Sequence, residues 1–102
     1  MITQFKIYEN LSKPQVGDYV VCQDLDRSLP RQTLEFISNT IGELIKYKKG
    51  TLFPYIIYYK DSPQNNHFQY HNQRMMQLKE ILFWSKNKED CEDYLAAKKY
   101  NL

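Results

Sequence analysis

Lys46-Tyr47-Lys48-Lys49 sets three cations around one aromatic ring. Lysines can hold phosphate oxygens while such a ring stacks on a base, which makes Lys46, Lys48 and Lys49 with Tyr47 the candidate nucleic-acid contacts. The plain alternative is a solvated hairpin end. A second group is the aromatic run over residues 53–59. Tyrosine buries a large area at little entropic cost and keeps a hydroxyl, so Tyr47, Tyr55, Tyr58 and Tyr59 are the candidate partner-binding residues. Core packing competes for the same rings.

Catalytic constellations are thin. His67 and His71 are four apart and with Cys22 or Cys91 would make a zinc set, but no HExxH or paired-cysteine spacing accompanies them. They read as surface histidines in a loop. Cys91 near a helix start invites a lowered thiol pKa, yet it shares an apolar stripe with Tyr94 and Leu95 and reads as a buried structural thiol. Cys22 and Cys91 are far apart and read as free thiols, not a disulfide. Asp24 and Asp26 offer paired carboxylates with no third ligand, the pattern of a solvated acidic loop. Gly17, Gly42 and Gly50 are too widely spaced for a phosphate-cradling loop. The chain is therefore expected to act without catalysis, cofactor or metal.

Composition agrees with a folded binding domain. Hydrophobic residues make up 42%, aromatics 15% and charged residues 25%, enough apolar content to fold one domain over residues 1–102. Fourteen Lys and Arg stand against twelve Asp and Glu, a net charge of +2 that does not by itself announce a nucleic-acid or membrane partner. No apolar run approaches the ~18 residues of a membrane helix, and the N-terminal residues lack a secretory pattern. A cytoplasmic location is expected, in the host cytoplasm or virion if the source is viral. Asn10-Leu11-Ser12 then reads as a chance glycosylation match. Nine Tyr against two Ala and three Gly point to AT-rich codons, as in many phages, viruses and low-GC bacteria.

The elements that must position these residues follow from local pattern. Residues 1–14 read as a lead-in strand, Phe5-Lys6-Ile7-Tyr8, ending near Pro14. Val16-Gly17-Asp18-Tyr19-Val20-Val21-Cys22 is a turn followed by a strand, and residues 23–30 an exposed loop. Over 33–48 the apolar positions 34, 37, 41, 44 and 45 have helical spacing, while Gly42 and the off-stripe Phe36 favour two strands, 34–37 and 41–47. Lys48-Lys49-Gly50-Thr51 is a turn. Residues 52–59 are apolar in both parities, a strand covered on both faces, with Pro54 near its start. Asp61-Ser62-Pro63-Gln64-Asn65-Asn66 is a loop, and 78–84 another strand. Asn87 caps a C-terminal helix over 87–100, acidic in its first turn and ending on Lys98 and Lys99.

Several of these strings resemble the small SH3-like barrels of the KOW and Tudor type. Val16-Gly17-Asp18-Tyr19-Val20 is similar to their first "GD-x-V" strand, Ile41-Gly42-Glu43-Leu44-Ile45 to the "IG-x-I" strand and Tyr55-Ile56-Ile57-Tyr58-Tyr59 to the strand after it. Leu78-Lys79-Glu80-Ile81 looks like the closing strand. The resemblance covers residues 15–84 and implies a mainly β fold, a small SH3-like barrel with a C-terminal helix outside it. It favours two strands over 33–48, with a small α+β domain carrying a helix there as the second architecture. Tudor-type members bind methylated cations in aromatic cages. The expected function is a protein–protein interaction module, a structural or accessory protein or an inhibitor of a host factor. Its expected partner is another protein or a second copy of the chain, and nucleic-acid binding through the 46–49 turn is the alternative.

Overall fold

The computed structural model describes residues 13–62 and 72–100. The lead-in strand proposed at 5–8, most of the 61–66 loop, and His67 and His71 lie outside the described residues. Five strands form one antiparallel sheet: β1 (Tyr19–Cys22), β2 (Ile41–Tyr47), β3 (Tyr55–Tyr58), β4 (Gln73–Met76) and β5 (Ile81–Ser85), in the order β4-β3-β2-β1-β5. Helix α1 (Arg31–Asn39) lies between β1 and β2, a one-turn 3₁₀ helix (Leu78–Glu80) links β4 to β5, and α2 (Lys88–Lys99) closes the described chain.

The entry to β1 is fixed by Gly17, whose φ of 101° favours a residue without Cβ. Asp18 completes the turn: its buried carboxylate accepts from Gln15 N–H at 2.8 Å and from Lys86 Nζ at 2.9 Å. β1 itself is apolar on both faces. Val20 and Cys22 join the core with Leu44, Tyr55, Ile57, Tyr59, Met76 and Ile81, while Val21 points the other way and is equally buried. Helix α1 supplies Ile37 and Phe36 to the first face; α2 packs along β1 and β5 on the second, where Tyr94 stacks on Phe83 at 4.8 Å. A central strand under cover on both sides explains the unbroken apolar string.

Residues 34–37 are helical, which corrects the strand expected there. Thr33 and Ile37 face inward one turn apart, and Phe36 sits at the margin of the stripe, where it packs edge-on against Tyr59 with ring centroids 5.6 Å apart. The helix stops because Ser38 Oγ and Asn39 Nδ2 both donate to the Glu35 carbonyl, capping the last turn. β2 starts at Ile41, directly after Thr40. Gly42 therefore never entered the helix, and neither architecture proposed for 33–48 holds for the whole stretch: its first half is helix and its second half strand.

Two smaller corrections concern β5 and α2. Residues 78–80 form the 3₁₀ turn, so β5 begins only at Ile81. The turn is pinned by Glu80, a buried carboxylate accepting from Gln77 N–H at 2.9 Å and Leu25 N–H at 3.0 Å. Asn87 occupies the N-cap position of α2, but its side chain makes no capping bond; Ser85 Oγ instead donates to Asp90 and accepts from Asn87 N–H. No helix among the described residues is long and apolar enough to cross a membrane.

Candidate functional site: the β2–β3 hairpin end

The hairpin joining β2 to β3 turns at residues 48–54. Lys48 N–H donates to the Pro54 carbonyl at 2.8 Å and Thr51 Oγ1 donates to the Lys48 carbonyl at 2.9 Å, which holds the loop to its own base. Gly50 takes φ 89°, a conformation that side chains disfavour. Pro54 ends the loop, and Leu52 and Phe53, expected inside a covered strand, are left on it. Leu52 is 73% exposed and Phe53 39%. Pro54 was the signal that the strand had to begin after it.

Tyr47, 44% exposed, stands at the end of β2 with its ring against Tyr55, centroids 4.9 Å apart. On the opposite face of the same hairpin, Lys46, Ile56 and Met75 lie in register across β2, β3 and β4; Met75 is also 44% exposed. Half of the large, exposed hydrophobic side chains among the described residues thus belong to this end of the sheet. Lys46, Lys48 and Lys49 are all exposed and no carboxylate of the described residues pairs with them. Residues 44–60 contain four lysines and no acid, so the near-neutral chain carries a local charge of +4 and the remainder sums to −2.

The proposed tyrosine surface divides. Tyr47 is exposed and Tyr58 half-buried opposite Glu43 and Gln73. Tyr55 and Tyr59 are core residues, a correction to their assignment as partner contacts. Both alternate onto the inner face with Ile57, and the buried Tyr59 hydroxyl lies beside the Cys22 thiol. Tyr59 OH is held well above its ordinary pKa by burial and by the neighbouring thiol.

The Asp24–Asp26 candidate gains no third ligand among the described residues. The Asp24 side chain is buried, contrary to the solvated carboxylate expected: its Oδ2 meets Arg74 Nη2 and Nε at 2.6 Å, and its Oδ1 accepts from Asp26 N–H. The pair ties β4 to the loop after β1, far apart in sequence and therefore invisible to local pattern. Among the described residues no group of His, Cys, Asp and Glu is placed to hold a metal ion. Cys22 and Cys91 are free and buried. Burial pushes both thiols up to about 12, aided at Cys91 by Asp90, Asp18 and Glu92, the opposite of an activated cysteine.

A pH dependence follows from the thiols. Below the ordinary thiol pKa of 9.0, folded and unfolded chains both hold these protons; between there and about 12 the unfolded chain releases protons that the folded chain keeps. Stability is therefore expected to fall as pH rises through that window, by at most about 1.4 kcal/mol per pH unit for each thiol. Urea midpoints taken from neutral to alkaline pH check the trend. Ellman's reagent should label neither cysteine in the native chain and both after unfolding; prompt native labelling would contradict the burial.

No family model, curated protein or solved structure matches this chain.

Proposed function

We propose that the chain is a non-catalytic protein-binding module, built on a small SH3-like barrel, that docks through the β2–β3 hairpin end. The barrel reading is supported by topology. The strands run as an antiparallel meander whose last member returns beside the first, a single 3₁₀ turn precedes that return, and β4 is one sheet edge while β5 is the other. Bulges at Ile45 and opposite Val21/Cys22 add twist. Arg74 of β4 reaches Asp24 beyond β1, although two strands separate β4 from β1 in the sheet, a contact that suits a curled sheet.

The functional reading is carried by one observation: Tyr47 at the end of β2 and Leu52 and Phe53 on the turn that follows are all exposed, and hydrogen bonds hold that turn in shape. Exposed apolar clusters rimmed by polar residues mark interaction sites. The test is a photo-crosslinking amino acid at position 52, with a control at the exposed position 92 on α2, in extract of the cells that naturally make the protein. Protein adducts from position 52 and none from the control are expected. Equal adduct formation at both positions, or none at 52, would sink the reading.

The concentration of lysine in residues 44–60 favours a second reading, nucleic-acid binding through Lys46, Lys48 and Lys49 with Tyr47 as a stacking ring. Binding of this kind weakens steeply with salt. Its absence at low salt would end that alternative.

A further inference from the structure

We infer that the hairpin end takes an acidic segment of a partner protein carrying a bulky apolar side chain, an assignment of partner chemistry that rests on the docking reading above. Charge complementarity supplies the acidic half. Lys46, Lys48 and Lys49 project from the end of β2 and its turn, without carboxylate partners among the described residues, inside a stretch of chain that contains no acid. An approaching carboxylate meets three cations there, the nearest acid along β2 being Glu43, one step back from the hairpin end. The rest of the chain sums to −2 and so adds no net attraction for the same segment elsewhere.

The apolar half comes from the side chains between the lysines and β3. Leu52 is the most exposed large hydrophobic residue described, and Phe53 follows it. Tyr47 is already restrained by its contact with Tyr55, so little rotamer freedom remains to be lost on binding. The loop is likewise held by the Lys48–Pro54 and Thr51–Lys48 hydrogen bonds. A segment of acid alone would leave Leu52 and Phe53 wet; one with a leucine or phenylalanine among its carboxylates covers them. An aliphatic residue as the most exposed group favours a protein over a nucleic acid, whose bases stack on rings and gain little from leucine. Three lysines against a negative remainder are also few for a phosphate backbone.

The proposal is tested on the full chain by fluorescence anisotropy with four probes: a labelled Asp/Glu peptide with a central Leu-Phe pair, the same peptide with Ala-Ala at the centre, a version with Lys replacing the acids, and an oligo-dT strand. The acidic Leu-Phe peptide should bind tightest and weaken with salt. Its affinity should fall about tenfold or more in Lys48→Glu/Lys49→Glu and also in Leu52→Ser/Phe53→Ser. All four positions are exposed, and an unchanged urea midpoint establishes that these variants fold. The Ala-Ala peptide should bind several-fold more weakly, and the lysine peptide not at all. The proposal falls if the acidic peptide does not bind, if it binds the charge-reversed variant equally well, or if oligo-dT binds tighter. Crosslinking from position 52 alongside a failed peptide would overturn the acidic chemistry and leave the docking end standing. Failure of both overturns both.

Discussion

Replacing Gly42 by alanine is expected to destabilise the domain by about 2–3 kcal/mol, and replacement by valine by more. Gly42 sits on the inner face of β2, opposite Val20 of β1. A Cβ built there would lie 2.4 Å from Ile57 Cγ2 and 2.9 Å from Tyr59 Cε1, closer than real Cβ contacts come. Ile57 is buried and β-branched, so its methyl cannot swing away without moving the backbone of β3, and the fully buried Tyr59 is packed against Phe36. Alanine reduces the entropy of the unfolded chain, worth up to about 1 kcal/mol in its favour, which is smaller than the overlap. Urea denaturation of the single variants measures the loss. Ile57→Ala alone should cost about 2–5 kcal/mol by leaving a cavity. Combined with Gly42→Ala it should cost less than the two together, because the new methyl enters the space vacated by Ile57 Cγ2. Additive losses would show that the close approach is relieved in another way.

Arg74→Met should cost about 3–5 kcal/mol, the cost of leaving a buried carboxylate without its cation. The Asp24 side chain is only 3% exposed and receives both Nη2 and Nε of Arg74 on one oxygen. The effect is asymmetric. Asp24→Asn keeps the acceptor for Asp26 N–H and leaves the charge on Arg74, whose side chain is the more exposed of the two and can turn toward water. It should therefore cost less than Arg74→Met, and the double variant should recover part of the Arg74→Met loss. In a marginally stable domain the single arginine change lowers the melting temperature by on the order of 10–20 °C, measurable by circular dichroism. By contrast, the exposed Arg31–Glu35 pair of α1 contributes about 0.5 kcal/mol or less, and its removal should be nearly silent. Equal losses at the two pairs would contradict the burial that separates them.

Local sequence determined the elements whose signals are contiguous. Gly17-Asp18 before four β-formers defines the turn into β1, and the apolar string over 52–59 contains a strand, whose start Pro54 delays to Tyr55. Acidic residues at 89 and 90, Cys91 on an inward stripe and lysines at 98 and 99 define α2. Each signal lies within a few residues and acts through backbone preference or dipole, so no distant contact is needed to read it. The helical period over 33–39 and the strand character of Gly42 were both present in the sequence as well. They conflicted only while one state was asked to cover 33–48, and the Ser38 and Asn39 caps that separate them are side-chain bonds to a carbonyl one turn back.

Tertiary structure alone decided which polar and aromatic residues are inside. Composition treats Tyr47, Tyr55, Tyr58 and Tyr59 alike; the pleat of β3 turns Tyr55 and Tyr59 into the core, while Tyr47 at the end of β2 and Leu52 and Phe53 on the turn before Pro54 stay exposed. Asp24 reads as a loop carboxylate until β4 brings Arg74 to it from fifty positions along the chain. Glu80, read within the closing strand, is instead a buried carboxylate on the 3₁₀ turn that Leu25 N–H reaches. Burial is a property of what folds over a residue, and those covering groups are remote in sequence. The basic, acid-free character of residues 44–60 was written in the chain from the start; only the fold made it one exposed end.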